Sequence, residues 1–381
     1  MQRPIWNLLV ERLKEESPLI QVLLGPRQVG KTTGILNVIE HWAEPSHFAS
    51  VDDTLIASPA WLTEQWQLAL DKGSNTLLVI DEIQKIEDWS KIIKGLWDRS
   101  IRSKKTLRVV LLGSSSLAIQ TGLSESLAGR FELINVPHWG FNESHQIFGH
   151  SLDTWLTWGG YPGAESLRHD EHRWLAYVTN SIVDAVIGRD ILTIRAVKNP
   201  ALFRQAFAIA CGYPGQEISY AKFLGQLQDK GNIDLVKTYL ELYQGAFLVY
   251  SCFKYSRSPR VLKGSSPKLI LGCPALATLA HGSEWSRSPE GRGRVFESAV
   301  GAELLKIIGA QVNWWRDGDL EVDYIVRYKK ALIAVEVKSG RRKRMGGMDA
   351  FLKKEAKAKP VFITLENFAA FSANPGDFIL A

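Results

Sequence analysis

The stretch that decides the fold is Leu19 to Thr33, which reads LIQVLLGPRQVGKTT. An apolar run leads into the spacing G-x-x-x-x-G-K-[ST], which begins at Gly25, and a helix-compatible sequence follows. Glycines let consecutive backbone N–H groups turn inward around a phosphate, and a helix that begins there adds the positive end of its dipole. The pattern predicts a phosphate-binding loop, with Lys31 on the phosphates and the Thr32 hydroxyl on Mg²⁺.

The expected ligands of this loop are ATP and Mg²⁺. The alternative is a glycine-containing turn between a strand and a helix that binds no ligand. The residues predicted to bind nucleotide are those of the loop and one acid from a later strand: Gly25, Pro26, Arg27, Gln28, Val29, Gly30, Lys31, Thr32, Thr33 and Asp81.

A second apolar run, TLLVIDE at residues 76–82, ends in two acids. We expect Asp81 to hold Mg²⁺ through water, and Glu82 to orient or deprotonate the water that attacks the γ-phosphate. Two acids at the end of a buried strand are also compatible with a plain strand end. Their combination with the glycine loop favours a site that hydrolyses nucleotide.

Two further segments offer polar groups to such a site. The strand LRVVLLG at 107–113 ends in Ser114, Ser115 and Ser116, and polar groups at that end of a parallel strand face the ligand crevice. We expect Ser114 and Ser115 jointly to sense the nucleotide, although a serine-rich turn with helix-capping duty fits equally. In LAGRF, Arg130 is a candidate for stabilising transition-state charge, in cis or across a subunit boundary. An ordinary surface arginine is the alternative.

The composition is that of a folded globular protein of two or three domains, with 381 residues, of which 45% are hydrophobic and 23% charged. Lys and Arg number 46 against 40 acids, and this surplus permits nucleic-acid partners without requiring them. The three cysteines are widely spaced, which supports neither a disulfide framework nor a zinc site. We see no apolar run of membrane-spanning length and no signal peptide, and therefore expect a cytoplasmic protein without a membrane partner.

These motifs together resemble a family of prokaryotic AAA-type P-loop ATPases that carry a C-terminal domain of unknown function. The resemblance covers nearly the whole chain and rests on GPRQVGKTT, LLVIDEIQKIEDW, LLGSSS, LAGRF and HWGFNE. It implies an ATPase core with an additional strand, in which Lys31 and Thr32 are the nucleotide lysine and hydroxyl. It also implies that Asp81 and Glu82 are the magnesium and water acids and that Ser115 is the sensor.

The middle of the chain is predicted to be helical. We assign residues 141–200 to a helical hinge segment and 201–270 to a winged helix-turn-helix, because a helix, a capped helix, a turn, a third helix and a strand pair follow in order. The third helix is expected to expose Lys237 and Thr238, on DNA or on a protein. The segment 253–294, rich in Ser, Pro, Gly and Arg, is predicted to be a linker or basic flank.

The last part, 271–381, is assigned to this linker and to a domain with the order α-β-β-β-α-β, the plan of restriction-endonuclease-like folds. Asp323 and Glu336 are expected on adjacent strands with Lys338 on the same sheet face, because strand side chains alternate. These two acids would hold Mg²⁺, Lys338 would activate water, and Glu297, on the buried face of a helix, would complete the metal shell.

Two features of this last domain each have two interpretations. The four polar residues form a PD-(D/E)xK nuclease site, or the acids form buried ion pairs with Lys338, Arg316 or Arg327. The basic run Arg341 to Arg344 suits a phosphate backbone or is a solvated loop.

The sequence therefore predicts an α/β protein: a P-loop AAA-type ATPase domain with a parallel sheet over residues 1–140, followed by the hinge, the winged helix and the endonuclease-like domain. The leading hypothesis is a Mg²⁺-dependent ATPase whose C-terminal half acts on DNA. Its rival is an ATP-dependent regulatory switch whose nuclease-like domain only binds a partner. A role for Arg130 in trans would require a homo-oligomer.

Overall fold

The computed structural model describes residues 3–16, 19–113, 119, 123, 127–191, 197, 199–228, 231–257, 265–340 and 346–381. The chain divides into two compact units. The first unit comprises Met1–Pro137 and Asp184–Ala196, and the second comprises His138–Val183 and Val197–Ala381. This division is coarser than the four parts that the sequence predicts.

The first unit is built on a five-stranded parallel sheet, with strands in the order β2-β3-β4-β1-β5. Its strands are β1 Ile20–Leu24, β2 Ser46–Ser50, β3 Leu77–Asp81, β4 Arg108–Leu112 and β5 Phe131–Asn135. Its described helices are α1 Pro4–Leu13, α2 Lys31–Glu40, α3 Pro59–Asp71 and α4 Trp89–Arg102, with single 3-10 turns at Val51–Asp53 and Ile83–Lys85 and a π-helical stretch at Val186–Ile191.

Strand β4 lies between β1 and β3, as the resemblance to additional-strand ATPases implies. Every residue of β1 and β3 is buried, which is typical of parallel strands that carry helices on both faces. Because all five strands are parallel, the ends of β1, β3 and β4 meet at one edge of the sheet. That edge carries the glycine loop and the two acids.

Two glycines fix how the loop and its helix pack. A side chain at position 25 would bring its Cβ to 2.1 Å from the carbonyl oxygen of Val136, so only glycine fits beside the end of β5. At position 34, on α2, a Cβ would lie 1.9 Å from the indole of Trp6 on α1. The Trp6 ring is buried and packs directly against the helix that begins at Lys31.

The second unit begins with helices and a small sheet. Its first elements are α5 Phe141–Phe148, α6 Leu152–Trp158, a 3-10 segment Pro162–Leu167, α7 Glu171–Tyr177 and a π-helical stretch Val178–Val183. The chain continues with α8 Pro200–Cys211, β6 Gln216–Glu217, α9 Tyr220–Leu224, α10 Ile233–Gly245, β7 Val249–Cys252 and β8 Lys268–Leu271.

Strands β6, β8 and β7 form an antiparallel sheet in that order. The three predicted helices are present as α8, α9 and α10, although α9 is only 5 residues long. The predicted strand pair after α10 is also present: β7 pairs with β8, which lies in the segment that was predicted to be a linker or basic flank. Strand β6 was not predicted from the sequence, because a strand of two residues is too short to give an alternating pattern.

The prediction that 253–294 is a linker is wrong for much of its described part. This region contains β8, α11 Ala275–His281, α12 Ser283–Arg287 and the start of α13 Pro289–Leu305. The dipeptide Ser288-Pro289 starts a helix here, since the Ser288 hydroxyl accepts from the Gly291 N–H and proline occupies the first helical turn.

The C-terminal sheet has the order β12-β11-β10-β9. Strands β9 Gln311–Asp317, β10 Leu320–Tyr328 and β11 Ala331–Lys338 are antiparallel, and β12 Lys359–Thr364 is parallel to β11. With α13 before them and α14 Gly346–Lys354 between β11 and β12, the predicted order α-β-β-β-α-β is observed. Helices α15 Phe368–Ala373 and α16 Pro375–Leu380 follow.

The three cysteines are free and buried. Burial raises the pKa of the Cys252 thiol to about 12 and that of Cys273 to about 11. Both stay protonated at neutral pH and unreactive as thiolates. Of the helices in the described parts of the chain, none combines the length and the apolar character that crossing a bilayer requires.

Candidate nucleotide site and acid cluster

The glycine loop has the backbone of an anion cradle. Gly30 has a φ of 80° and Gln28 a φ of 63°, two left-handed positions that turn the chain sharply before α2 begins at Lys31. Lys31 is 8% exposed, and its ammonium donates to the carbonyl oxygens of Gly25 at 2.9 Å and Pro26 at 2.7 Å. The lysine thus lies over its own loop, where a phosphate can take the place of the carbonyl oxygens.

Thr32 and Asp81 are brought together as predicted. The Thr32 hydroxyl donates to Asp81 Oδ2 at 2.6 Å, and the other carboxylate oxygen of Asp81 accepts from the Glu82 N–H at 2.9 Å. Asp81 is 5% exposed and ends β3. A hydroxyl and a carboxylate are hard oxygen ligands, and together they fit Mg²⁺ in an ATP site.

Glu82 follows in a left-handed conformation with a φ of 56°, which is uncommon for a residue other than glycine. Its Oε2 accepts from Gln84 Nε2 at 2.6 Å and lies 3.8 Å from the ammonium of Lys85. Lys85 is also paired with Asp52, at the end of β2. The backbone strain and these contacts fix the carboxylate of Glu82 beside Asp81.

Gln84 was not foreseen as a site residue. Its Oε1 is buried and has no hydrogen-bond partner within the described ranges, and a Cβ at position 113 would lie 2.0 Å from it. The amide is therefore packed against Gly113 at the end of β4. The only sequence signal was its position two residues after Glu82.

The remaining two predictions for this site have different outcomes. Ser114, Ser115 and Ser116 lie outside the described residues. Arg130 directly precedes β5, and its carbonyl accepts from the N–H of Ile20 at the start of β1. That is the edge of the sheet opposite to the glycine loop, so Arg130 does not reach the nucleotide cradle of its own chain.

Arg130 instead forms a two-point ion pair with Asp98 on α4, with distances of 2.8 Å and 3.2 Å. The Arg130 guanidinium holds the pKa of the Asp98 carboxyl below its usual range. A role in cis is excluded by this placement, and only the role across a subunit boundary remains as a proposal.

In the second unit, Glu297 is buried on α13 as predicted, but its partner is a residue that the sequence reading placed in a linker. Lys268, the first residue of β8, donates to Glu297 Oε1 at 2.7 Å and to Glu321 Oε1 at 2.8 Å. Its ammonium also lies 3.4 Å from the carbonyl oxygen of Asp323. Lys268 is 1% exposed.

Carboxylate oxygens of Glu297, Glu321 and Asp323 lie within 4.8 Å of one another, and we call these three residues the acid cluster. Burial alone lowers the pKa of Lys268, but the charges of Glu297, Asp323 and Glu321 outweigh it and raise that pKa above its ordinary value. Burial likewise acts to raise the pKa of Glu321, and Lys268 and Arg316 outweigh it and lower that pKa. The acid cluster therefore already holds a cation, the Lys268 ammonium.

The other two predicted nuclease residues lie on β11. Glu336 is 6% exposed; its Oε1 accepts from Lys338 at 2.7 Å, and its Oε2 has no partner within the described parts of the chain. Asp323 Oδ2 accepts from the N–H of Val337 at 2.7 Å, so the Asp323 carboxylate lies against the strand of Glu336. Among the described residues, the group with metal-ligand spacing contains Glu321 in place of Glu336.

Glu321 could have been found from the sequence. It lies two residues before Asp323 on one strand, and alternation places both on the same sheet face. Lys268 gave no comparable signal. The basic run from Arg341 to Arg344 lies outside the described residues.

The predicted exposure of Lys237 and Thr238 on α10 is not observed. Both are half-buried, with Lys237 Nζ at 3.4 Å from Asp234 and 5.5 Å from the ring centre of Tyr220. The Thr238 hydroxyl donates back to the carbonyl oxygen of Asp234. The Asp234 carboxylate pairs with the Lys237 ammonium, so this helix face offers less free positive charge than expected.

Comparison with known proteins assigns a class to the first unit. Residues 17–145 match the profile of a family described as an AAA domain. Residues 149–285 and 292–374 match two profiles, each described as a domain of unknown function. The amino-terminal part of the chain is thus similar to AAA-type ATPase domains.

Relatives with similar sequences include two uncharacterised proteins. One, from Methanocaldococcus jannaschii, is 22% identical over 336 residues, which cover 81% of this chain and 72% of that protein. The other, from Mycobacterium tuberculosis, is 27% identical over 342 residues, covering 86% of this chain and 72% of that protein.

Similar solved structures include the Holliday junction branch migration motor RuvB of Thermotoga maritima, with 15% identity and a TM-score of 0.35. The similarity covers 71% of this chain and 92% of RuvB. AMPPCP-bound DnaA from Aquifex aeolicus has 14% identity and a TM-score of 0.32, covering 62% of this chain and 86% of DnaA.

Proposed function

We propose that the chain is a Mg²⁺-dependent ATPase. The observation that carries this proposal is the 2.6 Å hydrogen bond between Thr32 and Asp81, beside a glycine loop whose lysine lies over its own carbonyl oxygens. Loop N–H groups and Lys31 bind the β- and γ-phosphates. Thr32 and Asp81 would hold Mg²⁺, which neutralises charge on the phosphates when it is bound.

Glu82 is the residue that we assign to the attacking water. Its carboxylate is held at the end of β3, next to the magnesium acid Asp81, where it can accept a proton from water. Ser115 is proposed as the nucleotide sensor. Arg130 is proposed to act in trans, which makes a homo-oligomer the active species.

Two substitutions test the ATPase. Lys31→Ala is expected to abolish binding of a fluorescent ATP analogue, because the phosphates lose their positive partner. Glu82→Gln is expected to bind ATP and to hydrolyse it at least about a hundredfold more slowly, because the amide accepts no proton. Phosphate release and nucleotide affinity are measured on both variants and on the wild type. Normal turnover by Glu82→Gln refutes the assigned base.

For the second unit we infer a partner-binding role governed by nucleotide state. The helix and strand order of α8, β6, α9, α10, β7 and β8 supports a winged-helix assignment, and the C-terminal topology supports an endonuclease-like one. DNA is the proposed partner of this unit. The cation already present in the acid cluster favours binding without cleavage.

The competing candidate is a Mg²⁺-dependent nuclease. Two observations support it. The Asp323 carboxylate accepts from the Val337 N–H on β11. Glu336 pairs with Lys338 through Oε1, and its Oε2 lacks a partner within the described ranges. Supercoiled, linear duplex and single-stranded DNA are incubated with the wild type and with a Glu336→Ala, Lys338→Ala variant, in Mg²⁺ or Mn²⁺. We expect binding without cleavage by both proteins. Cleavage by the wild type that the variant lacks would establish the nuclease instead.

A further inference from the structure

The acid cluster has the spacing of an oxygen-ligand cation site. Glu297 comes from α13, and Glu321 and Asp323 come from β10, so two elements converge on one point. Carboxylates from separate elements at this spacing are what a divalent cation requires of a protein. The cluster is nevertheless built around the ammonium of Lys268, which comes from the small sheet.

The contacts of Lys268 use the full capacity of an ammonium group. It has three N–H donors, and they are directed to the carboxylates of Glu297 and Glu321 and towards the carbonyl oxygen of Asp323. The rings of Trp314 and Tyr324 lie 5.6 Å and 5.4 Å from Nζ, at the distance of a cation–π contact. No donor of this ammonium is left for water.

Charge excludes a second cation at the same place. Arg316 also binds Glu321, so two positive groups already face the three acids. A divalent ion beside the Lys268 ammonium would meet strong repulsion, because buried charges a few ångströms apart are poorly screened. Lys268 and a metal are alternative occupants of the cluster.

We propose that Lys268 is the resident cation of the acid cluster, and that the protein therefore takes no divalent metal there. The ion pairs of Lys268 with the acid cluster join β8 to α13 and β10. This inference deepens the partner-binding role proposed for the second unit and is independent of the ATPase. A metal-dependent nuclease centred on Glu297 and Asp323 is incompatible with it.

Terbium luminescence tests the proposal, because Trp314 and Tyr324 lie close enough to the cluster to sensitise a bound Tb³⁺ ion. The full-length wild type, Glu297→Gln, Lys268→Met and the double variant Lys268→Met, Glu297→Gln are titrated with Tb³⁺ and, in competition, with Mn²⁺. Signals from other acids on the protein are shared by all four proteins and cancel on subtraction.

We expect the wild type and Glu297→Gln to give the same titration. Lys268→Met is expected to gain a saturable site, roughly a hundredfold or more tighter than any in the wild type, which the double variant loses. Lys306→Met is the matched control. Lys306 directly follows α13 and pairs with the buried Glu303 at 2.8 Å, and its replacement should create no metal site.

Two outcomes would overturn the proposal. One is a wild-type signal that Glu297→Gln removes, which would show a metal in the cluster despite Lys268. The other is a folded Lys268→Met variant, by circular dichroism, that gains no site. If that variant does not fold, the comparison of wild type with Glu297→Gln still decides. ATP hydrolysis, measured on the same samples, separates this outcome from a failure of the ATPase proposal.

Discussion

At the scale of single residues, four residues of the candidate nucleotide site form a connected chain of hydrogen bonds. Thr32 donates to Asp81, Asp81 accepts from the Glu82 N–H, and the Glu82 carboxylate accepts from Gln84. An ionised carboxylate can only accept, so the Gln84 amide must present its NH₂ group to Glu82. Gln84 thereby sets the direction of the proposed base.

We predict that Gln84→Met lowers kcat for ATP roughly ten- to a hundredfold and leaves nucleotide affinity within about twofold. Methionine keeps the length of the side chain and removes the hydrogen bond that orients Glu82. Steady-state phosphate release and equilibrium binding of an ATP analogue check the prediction. Gln65→Ala, which removes an amide bonded to His47 in the same unit, is the control and should leave both values near wild type.

A double-variant cycle distinguishes positioning from a general loss of structure. If Gln84 acts through Glu82, then Gln84→Met has no further effect in a Glu82→Gln background. Multiplicative losses in the double variant would show that Gln84 acts independently of the base.

At the scale of elements, α1 packs closely on α2 because position 34 of α2 is a glycine. Gly34 allows the Trp6 indole to lie against α2, the helix that begins at Lys31. Replacing a helical glycine by alanine normally stabilises a helix by about 1 kcal/mol. Here the added methyl would overlap the indole, and overpacking of this kind costs about 1–3 kcal/mol.

Gly34→Ala is therefore predicted to lower the free energy of unfolding, while Gly95→Ala on α4 raises it. A Cβ at position 95 meets no atom within 4 Å among the described residues, so the second variant reports helix propensity alone. Urea unfolding of both variants gives the two signs. A stabilised Gly34→Ala would mean that Trp6 moves aside freely, and Trp6→Leu combined with Gly34→Ala should recover part of the loss.

How far the sequence predicted these elements depended on the distance between partners in the chain. The loop and the acids of β3 were predicted because the chemistry lies in runs of contiguous residues, from Gly25 to Thr32 and from Leu77 to Glu82. The order of helices and strands along the C-terminal part of the chain was predicted because each of its strands is long enough to show alternation. Strand β6, with 2 residues, has no period to detect.

Lys268 was missed for a different physical reason. It stands 29 residues before Glu297 and 53 before Glu321, in a segment whose serines and prolines favour a linker. A buried ion pair between distant residues is determined by tertiary packing, and no local pattern encodes it. The same limit applies to Arg130. Its sequence motif was recognised, but the edge of the sheet at which it lies is determined by the pairing of β5 with β1.

At the scale of the whole molecule, the first unit is discontinuous in sequence. It uses Asp184–Ala196 in addition to Met1–Pro137, and Val186, Ile187 and Ile191 in the added piece are buried. The four-part division predicted from the sequence places this piece in a hinge. The apolar contacts of the first unit are incomplete without it.

We predict that a polypeptide ending at Pro137 melts at a lower temperature than the first unit does in the intact chain, because it lacks these three buried side chains. A synthetic peptide of residues 184–196, added in excess, should raise the melting temperature of the fragment by mass action. Thermal melts followed by circular dichroism test this. A fragment that melts like the intact first unit, with no response to the peptide, would contradict the prediction.

This discontinuity also bears on how the protein is made. A ribosome delivers the chain from its amino terminus, and domains generally fold as units in that order. Here the glycine loop and both of its acids are synthesised early, yet the unit that contains them is complete only when Ile191 has left the exit tunnel. The first unit therefore lacks the buried side chains of Val186, Ile187 and Ile191 while residues 138–183 of the other unit are translated.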